Sequence, residues 1–81
     1  MTGRSVHGTP AAFREFAADA LTMASIQAEL GRTFAEIGDD VGLEYALRRA
    51  TAYFRCALGA LHDLKEAKAA RSSKATSHDS R

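Results

Sequence analysis

The chain has 81 residues and a formal net charge of +1, which predicts one small domain and gives no overall signal for nucleic acid or a membrane surface. Its single cysteine, Cys56, excludes an intrachain disulfide and a cysteine-rich zinc site. No apolar run is long enough to span a membrane, and no apolar segment follows Arg4 as in a cleavable export signal. We therefore expect a cytoplasmic location and, at this size, a core completed by oligomerisation.

The first predicted helix is marked at both ends. Residues 1–9 are mostly short and polar, and we expect a flexible arm there. Thr9 and Pro10 form a typical helix start, and Gly38 stands where a left-handed residue commonly ends a helix. The sequence therefore predicts helix A from about residue 10 to residue 37. Its repeat alternates steps of three and four residues: Phe13, Phe16, Ala20, Met23, Gln27, Leu30, Phe34 and Ile37.

Residues 38–40 are predicted to form the turn, with Asp39 or Asp40 capping the second helix. Helix B is predicted from about residue 41 to residue 70, and the short connection makes the two helices antiparallel. Residues 71–81 carry Ser, Lys and Arg but no large apolar residue, so we expect a disordered, basic tail in the free protein. The repeat of helix B is Leu43, Leu47, Ala50, Phe54, Ala57, Leu61 and Leu64.

Small residues accompany both repeats and predict how the helices pack. Ala17, Ala24 and Gly31 recur every seven residues on helix A, and helix B offers Ala46, Ala50, Ala57 and Ala60. Small side chains that face each other let two helices approach closely. The large side chains are then expected on one side of the hairpin, as an exposed apolar strip and candidate interface: Phe13, Phe16, Met23, Leu30, Phe34, Ile37, Leu47, Phe54 and Leu61.

This strip predicts association. Two hairpins that meet along it form a four-helix bundle, so we predict an all-α antiparallel two-helix hairpin that completes its core as a homodimer or higher oligomer; another helical protein is the alternative partner. Helix A has two arginines against five acids and helix B five basic residues against four acids, which favours A packing beside B. Within the helices, Glu44 should pair with Arg48 and Arg32 with Glu36.

The candidates for chemistry favour structural interpretations. His62 and Glu66 share a helix face but lack the further inward carboxylates of a bundle metal site, so we expect a solvated pair. Cys56 has no base within reach and is interpreted as a small, partly buried filler. Gln27 either fixes the register of the packed helices as a buried polar residue or lies at a partly open edge. We expect neither enzymatic activity nor a cofactor.

Arginines on the outer side of helix B support a second hypothesis. Arg48, Arg49 and Arg55 form a basic ridge that could contact nucleic-acid phosphates, together with the basic tail. The ridge lacks an aromatic surface for reading bases. A solvated helix face is the other interpretation of these residues.

In size and two-helix plan the chain is similar to the small helical-hairpin proteins exported by type VII secretion systems. Their Trp-x-Gly turn is absent, since the turn here is Ile37-Gly38-Asp39-Asp40. Their Tyr-x-x-x-Asp/Glu signal is also absent, because Tyr45 is followed by Arg49, and Tyr53 by Ala57, at that spacing.

We therefore expect a non-catalytic helical interaction protein, such as an adaptor, assembly factor or small regulator, that acts through an apolar helix face and a basic tail. The alternatives are a small nucleic-acid-binding regulator and an exported helical-hairpin partner protein of a secretion system.

Overall fold

The computed structural model describes the backbone of residues 8–79 and the side chains of residues 8–71. Helix α1 spans Pro10–Ile37 and helix α2 spans Asp40–Asp79. The two helices pack against each other, and residues 8–79 contain no strand, so the all-α hairpin is confirmed. Most of the predicted flexible arm, residues 1–7, lies outside the described residues.

Local hydrogen bonds fix the start of α1 and the turn. The Ala12 amide donates to Thr9 Oγ1 at 3.1 Å, which makes Thr9 the cap of α1. Gly38 adopts the left-handed conformation with φ 76°, and the next amide, of Asp39, donates to the Phe34 carbonyl at 2.9 Å. The Gly42 amide donates to Asp39 Oδ1 at 2.9 Å, so Asp39 rather than Asp40 caps α2, which begins at Asp40.

Helix α2 is longer than the sequence predicts. It continues to Asp79 rather than ending near residue 70, so the backbone of residues 71–79 is helical where we expected a disordered tail. The physical reason lies in composition, because no glycine or proline follows Gly59 to end the helix. Lack of large apolar residues removes a packing partner from this segment, but it does not interrupt the backbone hydrogen bonds of a helix.

The helices meet along a narrow band of mainly small residues, which we call the contact stripe. On α1 the buried members are Ala20, Ala24, Gln27 and Gly31, with Phe13, Ala17 and Phe34 half-buried. On α2 the buried members are Ala46, Ala50, Ala60 and Leu64, with Leu43, Tyr53 and Ala57 half-buried. Successive members are three or four residues apart on both helices, which is the repeat of a coiled coil.

Contacts near the turn set an antiparallel register. A Cβ built on Gly31 would lie 3.4 Å from Ala46 Cβ, and one built on Gly42 would lie 2.7 Å from Phe34 Cδ1. Continued residue for residue, this register places Ala20 level with Ala57 and Phe13 level with Leu64. Alanine and glycine thus occupy most of the middle of the stripe, with Gln27 and Tyr53 as the exceptions, and larger residues close its two ends.

The hairpin buries little apolar surface within itself. Among the described side chains no large residue is less than 2% exposed, and Leu64 is the largest member of the buried core. The molecule measures 65 × 29 × 12 Å, so it is about as thin as one helix with its side chains. Burial contributes about 0.8 kcal/mol per CH₂ group, and a core built of methyl groups therefore stabilises the isolated hairpin only weakly.

Two glycine substitutions test the contact stripe. Gly42→Ala should destabilise the hairpin by about 1–3 kcal/mol, because its Cβ would overlap the Phe34 ring. Gly31→Ala is the matched control: its Cβ would meet Ala46 Cβ at an ordinary 3.4 Å, and alanine favours a helix by about 1 kcal/mol over glycine. Thermal unfolding followed by circular dichroism measures both variants. Equal melting temperatures for the two variants would contradict the register.

Candidate interaction surface

The large apolar side chains lie beside the contact stripe and point away from it. Phe16, Met23, Leu30 and Ile37 form the α1 ridge, with exposed fractions from 38% at Met23 to 69% at Ile37. Leu47, Phe54 and Leu61 form the α2 ridge, with exposed fractions of 57%, 50% and 44%. Both ridges repeat every seven residues, so each runs along one flank of its helix.

The two ridges lie on opposite sides of the hairpin, which corrects the expectation of a single strip. Stripe residues can be grouped into pairs that are three residues apart, such as 17 and 20 on α1 or 43 and 46 on α2. Phe16, Met23 and Leu30 each come directly before such a pair, whereas Leu47 and Phe54 each come directly after one. In an antiparallel pair of right-handed helices, positions before the pairs on both chains share one side, and positions after them share the other. Each ridge therefore turns away from the stripe by about 80°, in opposite directions.

Phe13 and Phe34 were predicted to belong to the exposed strip and instead belong to the contact stripe. Both are half-buried, and Phe34 contacts the backbone of α2 closely at Gly42. They share the spacing of the α1 ridge in sequence, since steps of three and four residues lead to either set. Phe16, Met23, Leu30, Ile37, Leu47, Phe54 and Leu61 remain as exposed candidates.

One side of the hairpin, the α2-ridge face, combines the α2 ridge with a shallow flank of α1. Leu58, 65% exposed, widens the ridge, although the sequence analysis missed it. The neighbouring flank of α1 carries small side chains around Leu21, and charged residues lie at its ends, so the middle of the face is apolar and its ends are polar. The small residues of this flank are Ala18, Ser25 and Ala28, all exposed.

The opposite side, the α1-ridge face, has the same plan with the helices exchanged. Ile26, 49% exposed, widens the α1 ridge. The neighbouring flank of α2 carries Ala52, Cys56 and Gly59, and a Cβ built on Gly59 would meet nothing within 4 Å. Cys56 is exposed, so its predicted role as a partly buried filler within the hairpin is wrong. Each face therefore presents a ridge beside a groove.

Several charged residues lie on the two outer edges of the hairpin, farthest from the contact stripe. The edge of α1 carries Glu15, Glu29 and Glu36, and the edge of α2 carries Arg48, Arg55 and His62, all exposed. Arg48 Nη2 lies 2.7 Å from Glu44, which confirms that predicted pair. Arg32 lies 2.8 Å from Glu29 and 2.9 Å from Glu36, which confirms the predicted pair with Glu36. The hydrogen bond to Glu29, then the charge of Glu29 and the hydrogen bond to Glu36, raise the pKa of Arg32.

Arg49 does not lie in line with Arg48 and Arg55. It is on the α1-ridge face, where its guanidinium sits 5.5 Å from the Tyr45 ring centroid and 5.7 Å from that of Tyr53. Its Nη2 also donates to the Tyr53 hydroxyl at 3.1 Å. These three residues border an open groove on α2 with Ala52 and Cys56. The predicted basic ridge is thus divided between an outer edge and a face, and Arg49 is held by cation–π contacts.

Among residues 8–71 no group of three or more His, Cys, Asp or Glu side chains is arranged to hold a metal ion. His62 Nε2 lies 3.3 Å from Glu66, and both side chains are about 70% exposed, as a solvated pair would be. No helix within the described part of the chain is long and apolar enough to cross a membrane.

Gln27 is the polar member of the contact stripe. It is 9% exposed, so the partly open edge is wrong for this residue. Its Oε1 is buried with no hydrogen-bond partner, and the register places it level with Ala50. A buried oxygen in this state costs about 1–3 kcal/mol. Gln27 therefore weakens a core that is already thin.

No family model, curated protein or solved structure matches this chain. The surface must therefore be interpreted from its own residues.

Replacing Gln27 tests its effect on stability. Gln27→Met keeps an unbranched side chain of similar length and removes the buried oxygen, so we expect the free energy of unfolding to rise by about 1 kcal/mol. Gln27→Glu is the control and should destabilise, because it buries a charge at the same place. Chemical denaturation measures both variants. A Gln27→Met protein less stable than the parent would mean that the amide makes a contact worth more than its burial costs.

Proposed function

We propose that this chain is a non-catalytic helical interaction protein, and that its first partner is a second copy docked on the α2-ridge face to form a four-helix bundle. The observation that carries the proposal is the exposure of the α2 ridge: Leu47, Phe54 and Leu58 are each at least half-exposed along one flank. Together with Leu61 they form a contiguous apolar surface, which in a protein with so thin a core is typical of an interaction site.

The shape of the face favours a second copy as the partner. A two-fold axis parallel to the helices lays the α2 ridge of each copy over the small-residue flank of α1 in the other. Because this axis does not shift residues along the helices, a residue of α2 is level with the same α1 residue in the second copy as in its own hairpin. Phe54 is then level with the gap between Leu21 and Ser25 of the second copy, and the seven-residue repeat extends this fit to Leu47 and Leu61.

Charge is compatible with the same arrangement. With α1 above α2 of the other copy, Glu29 is level with Arg48 across the outer edges, and each also has an ion pair within its own helix, Glu29 with Arg32 and Arg48 with Glu44. Stacking like helices would instead place the acidic edge of α1 against another acidic edge. An exposed pair contributes only about 0.2–1 kcal/mol, so the fit of ridge and groove, more than charge, determines the proposed orientation.

Phe54→Asp tests the proposed interface. A charge at the centre of the ridge would have to be buried in the bundle, so association should weaken by at least about 30-fold. The hairpin should keep its helicity, because Phe54 lies outside the contact stripe. Light scattering after gel filtration, over a concentration series, measures the mass, and circular dichroism measures the helicity.

Thr22→Asp is the matched control, since it places the same charge on the outer edge of α1, away from both faces. It should associate as the parent does. A parent chain that stays monomeric and folded at high concentration would refute self-association. The apolar faces would then require a different helical protein.

The rival function, nucleic-acid binding, is favoured by the exposed Arg48 and Arg55 on one edge. In that case a fluorescent single-stranded RNA should bind with an affinity that falls steeply with salt. The affinity should also fall in the Arg55→Ala variant. This variant should keep the fold, because Arg55 is exposed on the outer edge of α2. RNA binding that changes neither with the salt concentration nor in the Arg55→Ala variant would exclude this edge as the site.

A further inference from the structure

We propose that the open groove on α2 between Tyr45 and Tyr53, which we call the Arg49 groove, is a binding site for a phosphate group. Arg49 is the anchor of this site, and the Tyr53 hydroxyl is its second donor. The groove lies on the α1-ridge face, opposite the α2-ridge face. A small ligand can therefore bind there in the single hairpin and in the proposed four-helix bundle alike.

Arg49 carries an exposed charge that no neighbouring carboxylate balances. Arg32 and Arg48 each pair with a glutamate one helical turn away. The same two positions around Arg49 hold Tyr45 and Tyr53 instead, and no carboxylate among residues 8–71 forms an ion pair with its guanidinium. An exposed cation without an acidic neighbour attracts an anionic ligand.

The two tyrosine rings hold this guanidinium in place. It lies 5.5 Å from the ring centroid of Tyr45 and 5.7 Å from that of Tyr53, and its Nη2 donates to the Tyr53 hydroxyl at 3.1 Å. Cation–π contacts and a hydrogen bond thus restrict a side chain that would otherwise lose rotamer freedom when it binds. An arginine that is already ordered keeps more of the free energy of its contacts with a ligand.

The donors of the groove match the acceptors of a phosphate group. A guanidinium has five N–H groups, and Arg49 uses one of them on Tyr53, so the others remain for a ligand. The Tyr53 hydroxyl accepts that bond, which leaves its own proton to donate. Phosphate offers three strong acceptor oxygens: two suit the planar fork of arginine, and the third suits the hydroxyl. A carboxylate has no third oxygen for the hydroxyl.

The rest of the groove favours a phosphate that is attached to an organic group. Ala52 and Cys56 line the groove beside the arginine and the tyrosines, and both are exposed. The apolar part of a phosphate ester can cover these small side chains while its phosphate contacts Arg49. Free phosphate makes only the polar contacts, so we expect the ester to bind more tightly.

Titrations with phenyl phosphate and with inorganic phosphate, at constant ionic strength, test the site. Nuclear magnetic resonance of the Arg49 side chain and of the backbone amides measures binding. We expect saturable shifts that centre on Arg49 and Tyr53. The dissociation constant should be at least about tenfold lower for phenyl phosphate than for inorganic phosphate.

Three variants separate a built site from general attraction to positive charge. Arg49→Lys keeps the charge and removes the planar fork, so the affinity should fall at least about tenfold. Tyr53→Phe keeps the ring and removes only the hydroxyl, and we expect a loss of about threefold or more. Arg55→Lys is the matched control, since Arg55 is exposed on the outer edge of α2, and it should bind as the parent does. Circular dichroism checks that each variant keeps its helicity.

Cys56 provides a second measurement, because it lines the groove and is exposed. Bound phenyl phosphate should slow the alkylation of Cys56 by iodoacetamide, whereas inorganic phosphate should not. Protection of Cys56 supports a phosphate ester as the ligand. Equal affinities for the two probes without protection, but with the loss in Arg49→Lys, support the site with free phosphate as its ligand.

Two results would overturn the site. The first is a set of shifts that does not saturate with either probe. The second is an affinity that falls equally in Arg49→Lys and Arg55→Lys, or in neither of them, because the anion would then respond to the charge of the helix and not to the fork that the tyrosines hold. Neither result would affect the proposed self-association, which uses the opposite face.

Discussion

The close approach of two small-residue stripes is the constraint on which the rest of the structure depends. Ala24 and Ala46 are each 1% exposed, and a Cβ on Gly31 would come into ordinary contact with Ala46 Cβ at 3.4 Å. Helices held this closely leave little space between them for large apolar side chains. The stripe holds such residues mainly at its two ends, and Tyr53 in its middle is only half-buried. The large apolar residues must therefore lie outside the hairpin's own core. The chain obtains a defined register from this packing and only modest stability, because methyl groups bury little surface.

The outward placement gives the hairpin two faces instead of one. On α1 the large residues come directly before pairs of stripe positions, and on α2 they come directly after such pairs. This difference puts the two ridges on opposite sides of the hairpin. On each face, the ridge of one helix stands beside the small residues of the other. The outer edge of α1 carries three glutamates and that of α2 two arginines, but Glu29, Glu36 and Arg48 already form ion pairs within their own helices, so charge adds little to the orientation.

Much of the fold could be predicted from the sequence because it depends on local chemistry. Thr9, Pro10 and Gly38 define α1 through capping and left-handed geometry, and Arg32 and Arg48 find their partners four residues away. The packing face could be predicted only in part. On each helix, steps of three and four residues can lead along the contact stripe or along the ridge, and the residues of the two sets are one position apart. Phe34 belongs to both by spacing. The side on which each ridge falls depends on helix direction and handedness together, and the end of α2 depends on residues that neither favour packing nor break a helix.

The glycines show where the chain's own packing ceases to explain its sequence. Gly38 is required by a positive φ, and Gly42 by the Phe34 ring 2.7 Å from where its Cβ would lie. At Gly31 a Cβ would meet Ala46 Cβ at an ordinary 3.4 Å, so this contact leaves room for alanine. For Gly59 the hairpin offers no such reason, although it lies in the middle of a helix that alanine would stabilise. Because the isolated hairpin is weakly stabilised, a second copy docked on the α2-ridge face, as proposed, adds directly to the stability of the folded chain. Folding and assembly are then linked, and a residue that destabilises the single hairpin can stabilise the protein in its assembled form.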